Sequence, residues 1–242
     1  MRNPQATPAL AVPRARDHDE RELKFAVPEG RVDLLRRRLE RICTRDPEFP
    51  AAVVCTIYYD TPDLSSLGEK INSDYLKRKI RVRWYSDLTG RAAGPAFVEA
   101  KLRVGNRRAK VRAQLPYPAD ELAGWDLQEA RFLNFPMLLN DHGVVAHGPW
   151  EPVVRIRYRR DRFIEPLSGS RVSLDADIAA VAVNPTFVSS PGFTAIASAV
   201  LEVKGTLDML PLALRPLLQL GMRKRSFSKF LAIYLHMTQH IV

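Results

Sequence analysis

The chain has 242 residues, 46% of them hydrophobic, which allows a substantial core in one large domain or two small ones. Lysine and arginine number 37 against 27 acidic residues, a net charge of +10 that points to an anionic partner such as nucleic acid, a membrane surface or a phosphate compound. Two cysteines, Cys43 and Cys55, exclude a disulfide framework, and no apolar run reaches the roughly 18 residues of a membrane span or forms a signal-peptide core, so a soluble cytoplasmic protein with reduced, buried thiols is expected.

Residues 1–18 carry Pro4, Pro8 and Pro13 without periodicity and are expected to form a mobile tail ahead of a single domain over 19–242. Arg21 to Val27 reads as a first strand and Pro28-Glu29-Gly30 as a turn. Val32, Leu35, Leu39 and Ile42 then mark the apolar face of a helix, with Arg36 to Arg38 on its solvated side. Strands are predicted over 52–60, 75–85, 96–103 and 108–115. A helical insertion follows over 119–142, interrupted at Pro136 and closed by Gly143. Strands resume at 153–163, 171–175 and 198–204, and Pro191-Gly192 reads as a loop. A short helix near 211–220 ends at Gly221, and a longer one from Ser226 carries an apolar stripe of Phe227, Phe230, Leu231, Tyr234 and Leu235. His236 and His240 lack the glutamate of a zinc-protease motif and read as exposed last-turn residues.

Several of these strands alternate charged with apolar residues: Arg81-Val82-Arg83, Glu99-Ala100-Lys101, Lys110-Val111-Arg112, Arg171-Val172-Ser173-Leu174-Asp175 and Glu202-Val203-Lys204. Strand side chains point to opposite faces with period two, so each stretch puts its charges on one face. For a single strand the ordinary explanation is one solvated face of an antiparallel sheet. Taken together the stretches suggest a sheet with one ionic face, which, curled inward, becomes a tunnel suited to a polyanion and a metal ion. Near residue 158 alternation alone would put Arg155, Arg157 and Arg159 on that face. No G-x-x-x-x-G-K frame exists, which argues against a P-loop enzyme. Lys229 falls in the first turn of the last helix, where the helix dipole disfavours a cation, so an anion site at Ser226 to Lys229 is expected.

Eight segments occurring in order, Glu22-Leu23-Lys24-Phe25, Ile57-Tyr58-Tyr59-Asp60-Thr61, Lys79 to Tyr85, Glu99-Ala100-Lys101, Tyr158-Arg159-Arg160, Arg171 to Asp175, Leu201-Glu202-Val203-Lys204 and Ser226-Phe227-Ser228-Lys229-Phe230, together resemble the VTC domain of polyphosphate polymerases. This is a branch of the triphosphate tunnel metalloenzymes, and the resemblance spans about Glu20 to Tyr234. It implies an α+β fold: a closed eight-stranded antiparallel β-barrel with flanking helices and a C-terminal helix. It also implies transfer of the γ-phosphoryl group of ATP to a polyphosphate chain. Lys24, Arg81, Arg83 and Glu202 would then be catalytic. Lys24, Lys79, Arg81, Arg83, Lys101, Lys110, Arg160, Arg171, Lys204, Ser228 and Lys229 would contact phosphate. Glu202, with Glu22 and Glu99 as further candidates, would hold a Mn or Mg ion, although Glu22 and Glu99 could equally pair with lysines of that face.

The same resemblance selects Tyr158 and Arg160 for the ionic face and leaves Arg155, Arg157 and Arg159 as outer-surface charges. The implied partners are ATP and inorganic polyphosphate or triphosphate, with no specific nucleic acid; the oligomeric state is open. Glu20-Arg21-Glu22-Leu23-Lys24 also spells the E-x-E-x-K opening of the related CYTH branch, in which Glu20 would be a second metal ligand. Glu202-Val203-Lys204 departs from that branch. A triphosphatase, and a non-enzymatic binder of RNA or other polyanions, therefore remain alternatives.

Overall fold

The computed structural model describes residues 20–238, apart from residues 93, 106, 145, 147 and 190–192. The expected tail over 1–18, the loop at Pro191 and Gly192, and His240 lie outside the described residues. The strands are β1 (Arg21–Pro28), β2 (Thr44–Arg45), β3 (Ala51–Asp60), β4 (Leu76–Ser86), β5 (Pro95–Val104), β6 (Arg107–Pro118), β7 (Glu151–Ile164), β8 (Arg171–Val183), β9 (Thr194–Ala195), β10 (Ser198–Gly205) and β11 (Arg223–Lys224). The α-helices are α1 (Val32–Ile42), α2 (Ser65–Ile71), α3 (Ala119–Gly124) and α4 (Lys229–Met237), and 3-10 helices cover Ala130–His142 and Leu212–Leu220.

All strands join one antiparallel sheet in the order β11, β1, β10, β8, β7, β3, β4, β5, β6, with β2 added to β7 and β9 to β8. The eight long strands lie close to their predicted positions, except that β8 continues from Asp175 to Val183. The expectation of a closed barrel needs correction. Among the described residues no backbone pairing joins β6 to the far edge, where β11 pairs with Phe25 and Ala26 of β1. The basic segment Arg223–Lys224 thus occupies the ladder positions that closure through this part of β1 would use. The two ends of the path still meet through side chains, with Arg108 of β6 3.9 Å from Glu22 of β1. A sheet whose first and last long strands touch in this way must curl.

Apolar residues decide which face each helix covers. Leu23, Phe25, Val172, Leu174, Leu201 and Val203 pack under Leu35 and Leu39 of α1 and Leu214 and Leu217 of the last 3-10 helix. Ile57, Val82, Trp84, Val98 and Leu115 pack under Leu122 of α3 and Phe132, Phe135 and Leu139. The outer face of the sheet is therefore clothed by helices on both flanks, which leaves the charged alternates to line the inside. α4 is the exception: Phe230 and Ile233 pack on inner-face residues Val54, Tyr58 and Ile156, with Phe230 stacked on Tyr58 at 5.2 Å between centroids. Both cysteines are buried and free.

Two short-range features differ from the sequence reading. α2 is absent from it, and its cap explains why: the buried Asp60 accepts the backbone N–H groups of Thr61, Ser66 and Leu67 at 2.9, 2.8 and 3.0 Å. A cap six residues upstream gives no standard start signal. Arg36 is not simply solvated, since its Nε donates to the fully buried Asp161 at 3.1 Å. Arg37 and Arg38 are exposed. No helix among the described residues is long and apolar enough to cross a membrane.

Candidate functional site

In an antiparallel ladder, residues directly opposite each other share a face, so the register assembles the site strand by strand. Arg108, Lys110 and Arg112 of β6 oppose Arg103, Lys101 and Glu99 of β5. Lys101 and Glu99 oppose Lys79 and Arg81 of β4, and Arg81 and Arg83 oppose Tyr58 and Thr56 of β3. Val54, on the same face, opposes Tyr158 of β7, and Arg160 opposes Asp175 of β8. Ser173 and Arg171 oppose Glu202 and Lys204 of β10, which oppose Lys24 and Glu22 of β1. One face therefore gathers Glu22, Lys24, Lys79, Arg81, Arg83, Glu99, Lys101, Lys110, Arg160, Arg171, Glu202 and Lys204. Ser228 and Lys229 reach it from α4.

The cations on this face fall into two groups. Some have a resident carboxylate. Arg81 grips Glu99 through Nε and Nη2 at 2.8 and 2.6 Å, and Lys110 holds the other Glu99 oxygen at 2.6 Å. Arg160 and Lys229 share the fully buried Asp175, and Arg171, at the exposed rim, pairs with Glu20. Lys229 thus finds an anion at the start of α4, as the helix dipole demands, but that anion is a side chain of the chain itself.

The other group is Arg83, Lys79 and Lys101. Arg83 reaches only neutral oxygens, Thr56 Oγ1 and Tyr158 Oη, each at 3.2 Å. Lys79 donates to Ser228 Oγ at 3.0 Å, the hydroxyl that also caps α4. Among the described residues none of these three cations has a carboxylate within salt-bridge distance. The crowding is visible in the lysines. Arg81, together with burial and the cations Lys204 and Lys24, holds the Lys101 pKa well below the ordinary lysine value, against the pull of Glu22. Burial, Arg81, Lys24 and Lys70 lower that of Lys79 to about 8, against the pull of Tyr58. Fixed, desolvated cations without counter-ions are costly and favour a bound anion.

Among the described residues no group of three or more His, Cys, Asp or Glu side chains is placed to hold a metal ion. The carboxylates differ in how well they fit one. Both Glu99 oxygens are engaged by cations, so the ion-pair alternative is the one its geometry favours. Lys204 Nζ stands 2.7 Å from Glu202 Oε1 and 3.9 Å from Glu22 Oε1, so one lysine lies against both carboxylates. Glu22 Oε1 is buried and accepts no hydrogen bond of good geometry, but Lys24 Nζ stands 3.1 Å from it, so Glu22, like Glu99, has a lysine partner on this face. Burial favours the neutral form of Glu202, but Glu22, Lys204, Lys24 and Arg160 bring its pKa well below the usual carboxylate range. A pair of neighbouring carboxylates on a face rich in cations offers the oxygen donors that a hard divalent cation takes, completed by phosphate oxygens and water. Glu20, engaged by Arg171, is drawn away from that pair.

Tyr158, which the family resemblance placed on the face, is joined there by Tyr58, Thr56 and Asp175, and none of the four was among the residues expected to contact phosphate or metal. Asp175 had a readable signal, as the last member of the Arg171-x-Ser173-x-Asp175 alternation. The tyrosines, which give no charge to count, did not. The odd-numbered arginines of β7 lie outside, as the family resemblance implies, but not all are surface charges. Arg155 is buried and donates to the carbonyls of Leu122, Ala123 and Trp125 at 3.2, 2.6 and 2.6 Å. Arg159 pairs with Asp161 at 3.0 Å, whereas Arg157 is exposed.

The model of the VTC domain family matches residues 19–238, so the chain belongs to that family. No curated protein matches the sequence. Among solved structures, a candidate adenylate cyclase from Bacillus halodurans shares the fold, with a TM-score of 0.50 and 13% identity over 87% of this chain and 92% of that one. A candidate adenylate cyclase from Vibrio parahaemolyticus is more distantly similar, at a TM-score of 0.43 and 13% identity over 86% and 94% of the two chains.

Proposed function

We propose that this VTC-domain protein is a metal-dependent polyphosphate polymerase that transfers the γ-phosphoryl group of ATP to a polyphosphate chain. The observation that carries the reading is the set of three desolvated cations without counter-ions, Arg83, Lys79 and Lys101, on one face with the Glu22 and Glu202 pair. Their spread along the strands suits a linear run of phosphates better than a single anion. With a chain bound between β1 and β6, the curled face becomes a tunnel whose open seam lies at Glu22 and Arg108.

Phosphoryl transfer needs positioning and charge stabilisation more than a protein nucleophile. A terminal phosphate oxygen of the acceptor attacks the γ-phosphorus; that new P–O bond forms as the bond to the β,γ-bridging oxygen breaks, and ADP leaves with the electron pair. Arg83 and Arg81 offer planar donors to the transferring group, and Lys24, Lys79, Lys101 and Lys110 supply point charges along the chain. Arg171, Lys204 and Ser228 complete the proposed phosphate contacts, and Arg160 and Lys229, held by Asp175, would join them only where a phosphate displaces that carboxylate. Glu22 and Glu202 would hold a Mn or Mg ion, which when bound neutralises charge on phosphate oxygens. Glu99 serves instead as the counter-ion that orients Arg81 and Lys110.

Incubation of the purified protein with ATP, Mn and a short polyphosphate primer tests the proposal. Lengthening of the primer supports it. Phosphate release without lengthening identifies a triphosphatase, and salt-sensitive binding without turnover identifies a polyanion binder.

A further inference from the structure

Arg160 and Lys229 differ from Arg83, Lys79 and Lys101 in one respect: their anion is already present. Asp175 Oδ1 accepts from Arg160 Nε at 2.6 Å, and Oδ2 accepts from Arg160 Nη2 at 2.7 Å and from Lys229 Nζ at 2.6 Å. The carboxylate is fully buried. A two-pronged guanidinium contact of this kind, closed by a lysine, is also the way a phosphate group is held. The Asp175 carboxylate therefore stands where a phosphoryl unit at this end of the face would stand.

We propose that Asp175 is a resident anion that competes with a bound phosphate chain for Arg160 and Lys229, and so limits how far the chain extends toward α4. The inference rests on the polyphosphate reading and deepens it. Asp175 is a positioning residue. Its carboxylate ties β7 and β8 to the first residue of α4, so a phosphate that displaced it would also loosen that helix from the sheet. The charge arithmetic points the same way. Asp175, with Glu202 4.0 Å from Arg160, supplies carboxylates to the two cations at this end, whereas among the described residues none lies within salt-bridge distance of Arg83, Lys79 or Lys101, so a short chain gains most by binding there and stopping short of Asp175. Burial alone would raise the pKa of Asp175, but Arg160 and Lys229 lower it to about 2, so the competing anion stays charged at neutral pH.

Calorimetric titration without nucleotide or metal tests this, using linear tripolyphosphate and a longer linear polyphosphate. Asp175→Asn is expected to bind the longer chain about tenfold more tightly than the wild type, as one freed set of charge-assisted contacts allows, with a much smaller change for tripolyphosphate. Asp175→Asn/Lys229→Met should return to near the wild-type affinity. Lys229→Met alone, which leaves the Arg160–Asp175 pair intact and does not depend on the folding of the Asn variant, should weaken binding of the longer chain far less than Lys101→Met does. Equal losses in the two lysine variants, or an Asp175→Asn protein that binds the longer chain no more tightly, overturn the inference while leaving the polyphosphate reading in place. A wild-type protein that binds neither chain overturns that reading, and the inference with it.

Discussion

Lys79 of β4 and Ser228, the N-cap of α4, meet at 3.0 Å, joining the ionic face to the helix that covers its apolar end. With a pKa lowered from 10.5 to about 8, chiefly by burial, Lys79 is charged below that pH and neutral above it. Charging this group costs the folded state stability below pH 8, a cost relieved as pH rises from about 8 toward the unfolded value. A phosphate anion reverses the balance by favouring the charged form. Tripolyphosphate binding near pH 8.5 (about half a unit above the folded pKa) is therefore expected to take up protons, and affinity to fall as pH rises further. Calorimetry in buffers of different ionisation enthalpy reads the uptake, and Lys79→Met should reduce it, leaving the share of Lys101, whose pKa is also lowered. Binding with no proton exchange would count against a phosphate beside Lys79.

The Glu99 side chain is 1% exposed and carries Arg81 and Lys110. Replacing it by Gln leaves two cations with no carboxylate, and the loss expected for breaking a buried pair is about 3–5 kcal/mol. Glu99→Gln should lower the melting temperature, and tripolyphosphate should restore more stability to it than to the wild type. Melting curves with and without the anion test this; equal ligand-induced shifts would contradict the assignment of Glu99 as a counter-ion.

Acid should act through the same pairs. Burial favours neutral Asp175, but Arg160 and Lys229 depress its pKa from 3.8 to about 2. A depressed carboxyl pKa contributes stability that is complete above the unfolded value and lost as pH falls through the folded one. Stability measured by denaturant titration should thus fall between about pH 4 and pH 2. The loss should be shallower in Asp175→Asn, and an identical slope in both proteins would remove Asp175 from the acid response.

How much of this was legible in the sequence depended on alternation. Where charge alternates with apolar residues, as in Arg81-Val82-Arg83 or Glu202-Val203-Lys204, strand and face were both readable. After Asp177 the chain turns to Ile178, Ala179, Ala180, Val181, Ala182 and Val183, apolar on both faces, and the remainder of β8 carries no period to follow. β7 misled in the opposite way. Its outer arginines satisfy α3 and Asp161, so charge appears on both faces, and alternation alone selects the wrong one. Barrel closure failed as an expectation because edge pairing by Arg223–Lys224 is a tertiary event with no local signature.

Arg155 separates fold from function, since it lies on the outer face. It satisfies three carbonyls at the end of α3, so Arg155→Ala should cost about 2–4 kcal/mol, in line with loss of a buried hydrogen-bond network. Turnover per folded molecule should stay at the wild-type level. A large loss of turnover in protein shown to be fully folded would mean that the outer face takes part in the chemistry.

Glu202→Gln should abolish metal-dependent turnover while leaving the fold intact, and Glu22→Gln should weaken the response to Mn. Mn binding followed by electron paramagnetic resonance distinguishes a lost ligand from a lost phosphate contact, because only the former releases the ion. Wild-type Mn binding and turnover in both variants would remove the carboxylate pair from the mechanism.

In the proposed reaction the ionic face passes the γ-phosphoryl group to another phosphate chain and not to water. Following γ-labelled ATP in the presence of Mn and a polyphosphate primer measures this most directly. Label is expected in lengthened polyphosphate, matched by ADP. Label recovered only as free phosphate, or left in ATP, would contradict it.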